Sequence, residues 1–137
     1  MDTGFLIKQA IEAQKQAYAP YSGFRVGAAI LCTDGSIYTG CNVENAAYSA
    51  SNCAERTAVF KAVSDGRHRF LAVAVVGNLE GRENERELCA PCGVCRQVLS
   101  EFTDGSLRVI LARSETEYEE YTLKELLPLQ FSKKNLQ

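Results

Sequence analysis

The chain has 137 residues, 46% apolar composition and a formal net charge of −2, enough for one compact core and too little for two ordinary domains, so residues 1–137 are expected to form a single domain. That slight acidity gives no general attraction to phosphate backbones or anionic membranes, which argues against a nucleic-acid polymer or a membrane surface as partner. No apolar run approaches membrane-spanning length, and Met1-Asp2-Thr3-Gly4 has neither the basic flank nor the apolar stretch of a signal peptide, so the expectation is a soluble cytoplasmic protein.

Residues from about Thr3 to Tyr18 place Phe5, Ile7, Ala10, Ile11, Ala17 and Tyr18 at roughly helical spacing, with Thr3 as N-cap and Pro20 as the stop. Tyr21 to Cys32 turns into an apolar run, Thr33-Asp34-Gly35-Ser36 reads as a turn and Ile37 to Glu44 as a second strand, together a β-hairpin. Asn45 to Asn52 reads as a loop into a helix from about Cys53 to Val63, stopped by Asp65-Gly66. Phe70 to Val76 is apolar throughout, as a strand buried on both faces requires. Gly77 to Cys89 is polar and charged and reads as an exposed loop, after which Pro91 opens a helix from about Cys92 to Phe102. Leu107 to Arg113 and Glu117 to Tyr121 are strands joined too closely for a crossover helix, hence antiparallel. A brief helix begins at Thr122 and is closed by Pro128, and Ser132 to Gln137 reads as a polar, mobile tail. The order α-β-β-α-β-α-β-β-α predicts an α/β fold in which one mixed five-stranded sheet is covered by helices on both faces.

Chemistry concentrates in two stretches, Cys53-Ala54-Glu55-Arg56 and Pro91-Cys92-Gly93-Val94-Cys95. Cys92 and Cys95, three positions apart, share one helical face and can bite a single ion. With Cys53 they make three sulfurs and leave one position open, as a catalytic Zn²⁺ requires, while a closed structural site would use four protein ligands. Cys53 and Cys92 both fall at helix starts, where unpaired N–H groups and the helix dipole favour thiolates. A Cys-x-x-Cys pair also serves redox proteins, and that reading stays open on the dipeptide alone. Glu55 by itself is an ordinary first-turn acid; two residues from Cys53 it reads as a general acid/base. Arg56 is either a solvated helix residue or a donor to ligand sulfurs that offsets a thiolate-rich site. Cys32, Cys41 and Cys89 lack ligand-like spacing and read as bystanders, and the single histidine, His68, sits in loop-like text.

These residues resemble the cytidine deaminase family, in particular its small homotetrameric form with three cysteine ligands. The resemblance rests on Cys-Ala-Glu-Arg (53–56), on Pro-Cys-Gly-x-Cys-Arg-Gln (91–97) and on Asn-Val-Glu-Asn-Ala-Ala-Tyr (42–48), and it runs over nearly the whole chain. It implies a three-layer α/β/α sandwich and one Zn²⁺ per subunit on Cys53, Cys92 and Cys95. It further implies that Glu55 takes a proton from an activated water, protonates N3 of the cytosine ring and passes a proton to the departing amine. The products are then uridine or 2′-deoxyuridine and ammonia, a step of pyrimidine salvage.

On the same resemblance Asn42 and Glu44 clamp the ribose hydroxyl, with Val43 between them in the substrate-contacting stretch. Their side chains share a strand face; read alone, an Asn-x-Glu is as readily a strand end. Phe24 matches a residue that packs on the pyrimidine, a core aromatic being the competing reading. Ala54 offers its N–H to the base, and Tyr48 and Phe131 match positions that approach the pocket from neighbouring subunits. One departure is visible: the loop before Pro91 is longer and more charged than the family's usual connection. The competing readings are another small-substrate deaminase of the blasticidin S type, a nucleic-acid editor, and a zinc or redox binding module.

Overall fold

The computed structural model describes residues 1–137. In chain order it contains α1 (Thr3–Gln14), β1 (Phe24–Cys32), β2 (Ile37–Cys41), a 3₁₀ turn (Tyr48–Ala50), α2 (Ala54–Ser64), β3 (Phe70–Leu79), a 3₁₀ turn (Glu83–Glu85), α3 (Gly93–Ser100), β4 (Arg108–Ala112), β5 (Tyr118–Thr122), α4 (Leu123–Leu126) and a last 3₁₀ turn (Lys133–Leu136). The strands form one sheet in the order β2-β1-β3-β4-β5, antiparallel except for the β3–β4 pair, which is parallel and crossed over by α3. The predicted element order and the mixed five-stranded sheet are both present.

Alternation along the central strand divides the core in two. Val73 and Val75 of β3 join Ile30, Val109 and Leu111 against Ala58, Val59 and Ala62 of α2 and Leu99 of α3. Ala72, Ala74 and Val76 face the other way, joining Ala29, Ile110 and Ala112 against Leu6, Ile7 and Ala10 of α1. The sheet residues under α1 are mostly small, so that helix lies close: a Cβ on Gly27 would stand 2.0 Å from the Ala10 carbonyl oxygen. Helices cover both faces, giving three layers.

Several boundaries differ from the sequence reading, each for a local reason. Asp2, not Thr3, caps α1, its carboxylate accepting from the Phe5 N–H at 3.0 Å. The helix ends at Gln14, short of Tyr18, because the chain tightens and then runs extended. Tyr18 pairs with the 42–44 segment, its N–H donating to the Asn42 carbonyl at 2.9 Å and its carbonyl accepting from Glu44 N–H at 2.8 Å. β2 stops at Cys41, and the Asn42 side chain takes over the pairing with β1, Oδ1 accepting from Val26 N–H and Nδ2 donating to the Phe24 carbonyl, both at 2.8 Å. β3 runs three residues past Val76, since Gly77, Asn78 and Leu79 pair with Val26, Arg25 and Phe24. The end of the chain, expected as a loose tail, forms a capped turn with Ser132 and Asn135 in reciprocal hydrogen bonds.

Candidate metal and nucleoside site

Cys53 is the N-cap of α2 and Cys92 the N-cap of α3, both extended in backbone and followed by a helix. Cys95 lies in the first turn of α3, facing inward and fully buried. The fold thus brings two helix N-termini and three sulfurs to one point. The three Sγ atoms all lie within 4.8 Å of one another, Cys53 and Cys92 being 3.8 Å apart. Sulfurs about 2.3 Å from a tetrahedral ion stand about 3.8 Å from each other, so the spacing suits a Zn²⁺ ion and is far too long for a disulfide.

Within the cluster, Cys53 is the thiol set to ionise. The Cys53 thiol is pulled down to about 5, above all by a hydrogen bond from Cys95, with Arg56 and Cys92 helping against the opposing effect of burial. Cys95, as the donor in that bond, is pushed up, and burial adds to it. Arg56 reaches the cluster as a hydrogen-bond donor, one terminal nitrogen standing 3.3 Å from Cys53 Sγ. Its guanidinium is held more firmly protonated by the Cys53 bond first and by Cys95 as well. Of the two readings open for Arg56, the geometry matches the one in which it offsets thiolate charge.

Glu55 is 3% exposed, and its carboxyl is pushed up to about 7, chiefly by burial, with the neighbouring Cys53 adding to the shift. It lines a cavity of about 320 Å³ with Asn42, Glu44, Cys53, Ala54 and Cys92. Ala54 is fully buried in the first turn of α2, where an N–H has no intrahelical partner and is free for a ligand. Glu44 is held by the Tyr21 N–H at 3.0 Å, the Ser22 N–H at 3.1 Å and the Ser22 hydroxyl, contacts that lower its carboxyl. Asn42 and Glu44 therefore face one cavity although β2 has ended before them, and both also hold the segment that enters β1.

The remaining expected residues are placed as follows. Tyr48 is at the rim of its own chain's cavity, strongly exposed, with its ring edge-on to Tyr21 at 6.1 Å. Val43 does not line the cavity; its backbone pairs with Asn52 and so ties the 42–44 stretch to the residue before Cys53. Phe131 is exposed and outside the cavity of its own chain, its carbonyl accepting from Gln97 Nε2 at 2.9 Å. Phe24 lines a neighbouring cavity of about 550 Å³ with Arg82 and Arg86 of the charged loop. His68 is exposed and apart from the site, and Cys32 and Cys41 lie in strands, as expected.

Some site residues escaped the sequence reading. Cys89, taken for a bystander, is half-buried in the cavity wall, its thiol pushed up to about 12 by burial. Its Sγ and the Cε1 of Phe24 each lie 2.9 Å from where a Gly77 Cβ would be, so the two side chains meet over a glycine. Arg96 fixes the approach to α3, Nε donating to the Pro91 carbonyl at 2.7 Å and Nη1 to the Leu126 carbonyl at 2.8 Å. Asn52 also faces the cavity, its amide donating to Thr57 Oγ1 at 3.0 Å. Cys89 did carry a signal, its place three residues before a Cys-x-x-Cys pair.

The family described as the cytidine and deoxycytidylate deaminase zinc-binding region matches residues 2–111. A cytidine deaminase of Sporosarcina psychrophila is 54% identical over 136 residues, 99% of this chain and 96% of the relative. One from Halalkalibacterium halodurans is 46% identical, covering 99% of this chain and 98% of the relative. A crystal structure of cytidine deaminase from Burkholderia pseudomallei superposes with a TM-score of 0.85 at 44% identity, covering 96% of this chain and all of that one. A blasticidin-S deaminase of Bacillus cereus is more distant, 29% identical over 79% of this chain and 77% of the relative.

Proposed function

We propose, from the premise that the chain belongs to the cytidine and deoxycytidylate deaminase family, that it is an enzyme hydrolysing cytidine and 2′-deoxycytidine to the corresponding uridines and ammonia. The observation that carries the reading is the pairing of a three-thiol cluster with a buried carboxyl that titrates near neutrality and faces the same cavity. Residues 1–137 act as one catalytic domain.

Cys53, Cys92 and Cys95 would hold the metal, taken as one Zn²⁺ per chain, which would supply an activated water. Glu55 does the proton work. A carboxyl near 7 accepts a proton from the attacking water and gives it to N3 of the pyrimidine; a proton then passes by way of Glu55 to the exocyclic amine, so that the C4–N bond breaks and ammonia leaves. Burial of Glu55 both raises its proton affinity and keeps bulk water from competing for the proton. Ala54 directs its N–H at the base, while Asn42 and Glu44 receive the ribose hydroxyl: the carboxylate keeps an accepting lone pair and the amide a second N–H beyond the contacts already made. Phe24 packs on the pyrimidine, Val43 braces the clamp, and Tyr48 and Phe131 complete the sites of neighbouring chains in a homotetramer.

No helix of the chain is long and apolar enough to cross a membrane. We place the enzyme in the cytoplasm, in pyrimidine salvage, because uncombined thiols suit a reducing compartment. Zinc content and cytidine turnover, measured together for wild type and Glu55→Gln, test the reading. Wild type should carry zinc and release uridine, and Glu55→Gln should keep the zinc and lose activity by orders of magnitude; near-equal rates would sink it. Turnover of blasticidin S in place of cytidine would move the assignment to that branch of the family.

A further inference from the structure

We propose that Arg86 is a positioning residue for the pyrimidine pocket: its guanidinium fastens the charged loop 80–87 to α1 and β3, and so fixes where Phe24 and Cys89 stand. The inference rests on the nucleoside reading of the site. Arg86 is half-buried in a loop that the sequence presents as simply exposed. Nε donates to Asn78 Oδ1 at 3.0 Å, one terminal nitrogen donates to Gln14 Oε1 at 2.9 Å and the other is 3.5 Å from the Arg113 carbonyl. Gln14 and Asn78 are 5% and 4% exposed, and they bond to each other, Gln14 Nε2 donating to Asn78 Oδ1 at 2.6 Å. Arg86 is the donor that serves Gln14 Oε1; without it, a buried acceptor at the end of α1 loses its partner.

No carboxylate pairs with this guanidinium, although Glu80, Glu83, Glu85 and Glu87 lie in the same loop. A surface arginine in such a stretch would meet one of them. This one turns inward to neutral acceptors on α1, on β3 and at the residue after β4, which a planar fork can reach together and a single ammonium cannot.

Both ends of the fastened loop lead to the pocket. At its start Asn78 pairs with Arg25 and Leu79 with Phe24, and Glu80 N–H donates to the Gly23 carbonyl at 2.8 Å. At its end Cys89 follows Arg86 by three residues, with Leu88 packed on the core between them. Cys89 Sγ and Phe24 Cε1 then converge on Gly77. A loop released from Arg86 loosens both side chains, and with them the surface against which the base rests. The three thiols and Glu55 sit at the starts of α2 and α3, and none of them bonds to Arg86.

The test compares Arg86→Met, which keeps bulk and loses every donor, with Arg86→Lys, which keeps the charge and loses the fork. Both should raise KM for cytidine roughly tenfold while kcat and zinc content stay within about twofold. Peptide-resolved alkylation of the zinc-loaded protein by iodoacetamide, which needs no turnover, should label Cys89 faster in both variants. Unchanged KM with unchanged Cys89 labelling overturns the proposal, and so does a wild-type KM in Arg86→Lys. Parallel losses of kcat, KM and zinc would show a merely structural arginine and overturn it too. A wild type that cannot turn over cytidine would refute the deaminase reading, and the Cys89 labelling would still decide the latch.

Discussion

Burying Glu55 should cost stability at the pH at which the enzyme works, and the cost can be measured. The folded carboxyl titrates at about 7 against an ordinary value of 4.5, with burial as the main cause. A group whose folded value is raised contributes fully below its unfolded value, and that contribution is lost as pH rises through the folded one. For Glu55 the window runs from pH 4.5 to about 7. A shift from 4.5 to 7 is worth about 3 kcal/mol. Glu55→Gln removes the titration while keeping the shape. The expected result, in zinc-free protein unfolded by urea, is a stability gain for Glu55→Gln that grows by about 3 kcal/mol between pH 4 and pH 8, or about 10 °C in Tm for a chain of this length. Cys53, lowered to about 5, gives the opposite trend, stability present at high pH and lost as pH falls through 5. Both proteins share that trend, so it drops out of their difference. A Glu55→Gln gain that is constant across this range would refute the reasoning, because burial of the charged carboxylate would then not be the source of the shift.

Three substitutions test the scaffold around the site. Arg56→Gln should weaken zinc binding about 10- to 100-fold, read by competition with a chromophoric chelator, with the fold intact by circular dichroism. Gly40→Ala would put a Cβ 2.5 Å from the Ala54 carbonyl oxygen and 2.6 Å from Ala58 N, so it should push back the start of α2 and lower Tm and zinc affinity together. Asn42→Ala removes the acceptor for Val26 N–H and the donor to the Phe24 carbonyl; it should cost about 1–3 kcal/mol in urea unfolding and raise KM for cytidine.

The three clustered thiols were legible because metal-holding chemistry constrains their spacing: two thiols one helical turn apart, and a third at another helix start beside an acid. The element order was legible because Phe70 to Val76 and Leu107 to Arg113 have no reading but strand, while Thr33–Ser36, Gly66 and Gly105 punctuate the chain; Gly35, Gly66 and Gly105 adopt positive φ at those breaks. The end of β3 and the Arg86 latch were hidden. Gly77-Asn78-Leu79 is weak strand text, and its pairing depends on Phe24–Val26, which lie more than fifty residues earlier. Asn78 and Gln14 look like surface residues until each supplies the other's buried partner. Asn42 lines the cavity without lying in a strand, since β2 ends at Cys41 and the Asn42 side chain takes over the pairing with β1.

The topology explains why the acid sits where it does. Three thiolates on a divalent ion would leave a net charge of −1, a poor setting for activating water and a repulsive one for a carboxylate two residues away. Two N-termini, those of α2 and α3, converge on the cluster, and each presents the positive end of its dipole there. Arg56 adds a full positive charge, bonded to Cys53. With these offsets the cluster need not repel Glu55 strongly, and burial comes before the Cys53 charge among the causes of its raised carboxyl. Burial is the main cause of the proton affinity of Glu55, with Cys53 raising it and Arg56 lowering it to a smaller extent. Arg56 variants should alter zinc affinity far more than the pH profile of turnover, whereas changes that let water reach Glu55 should move the pH profile first.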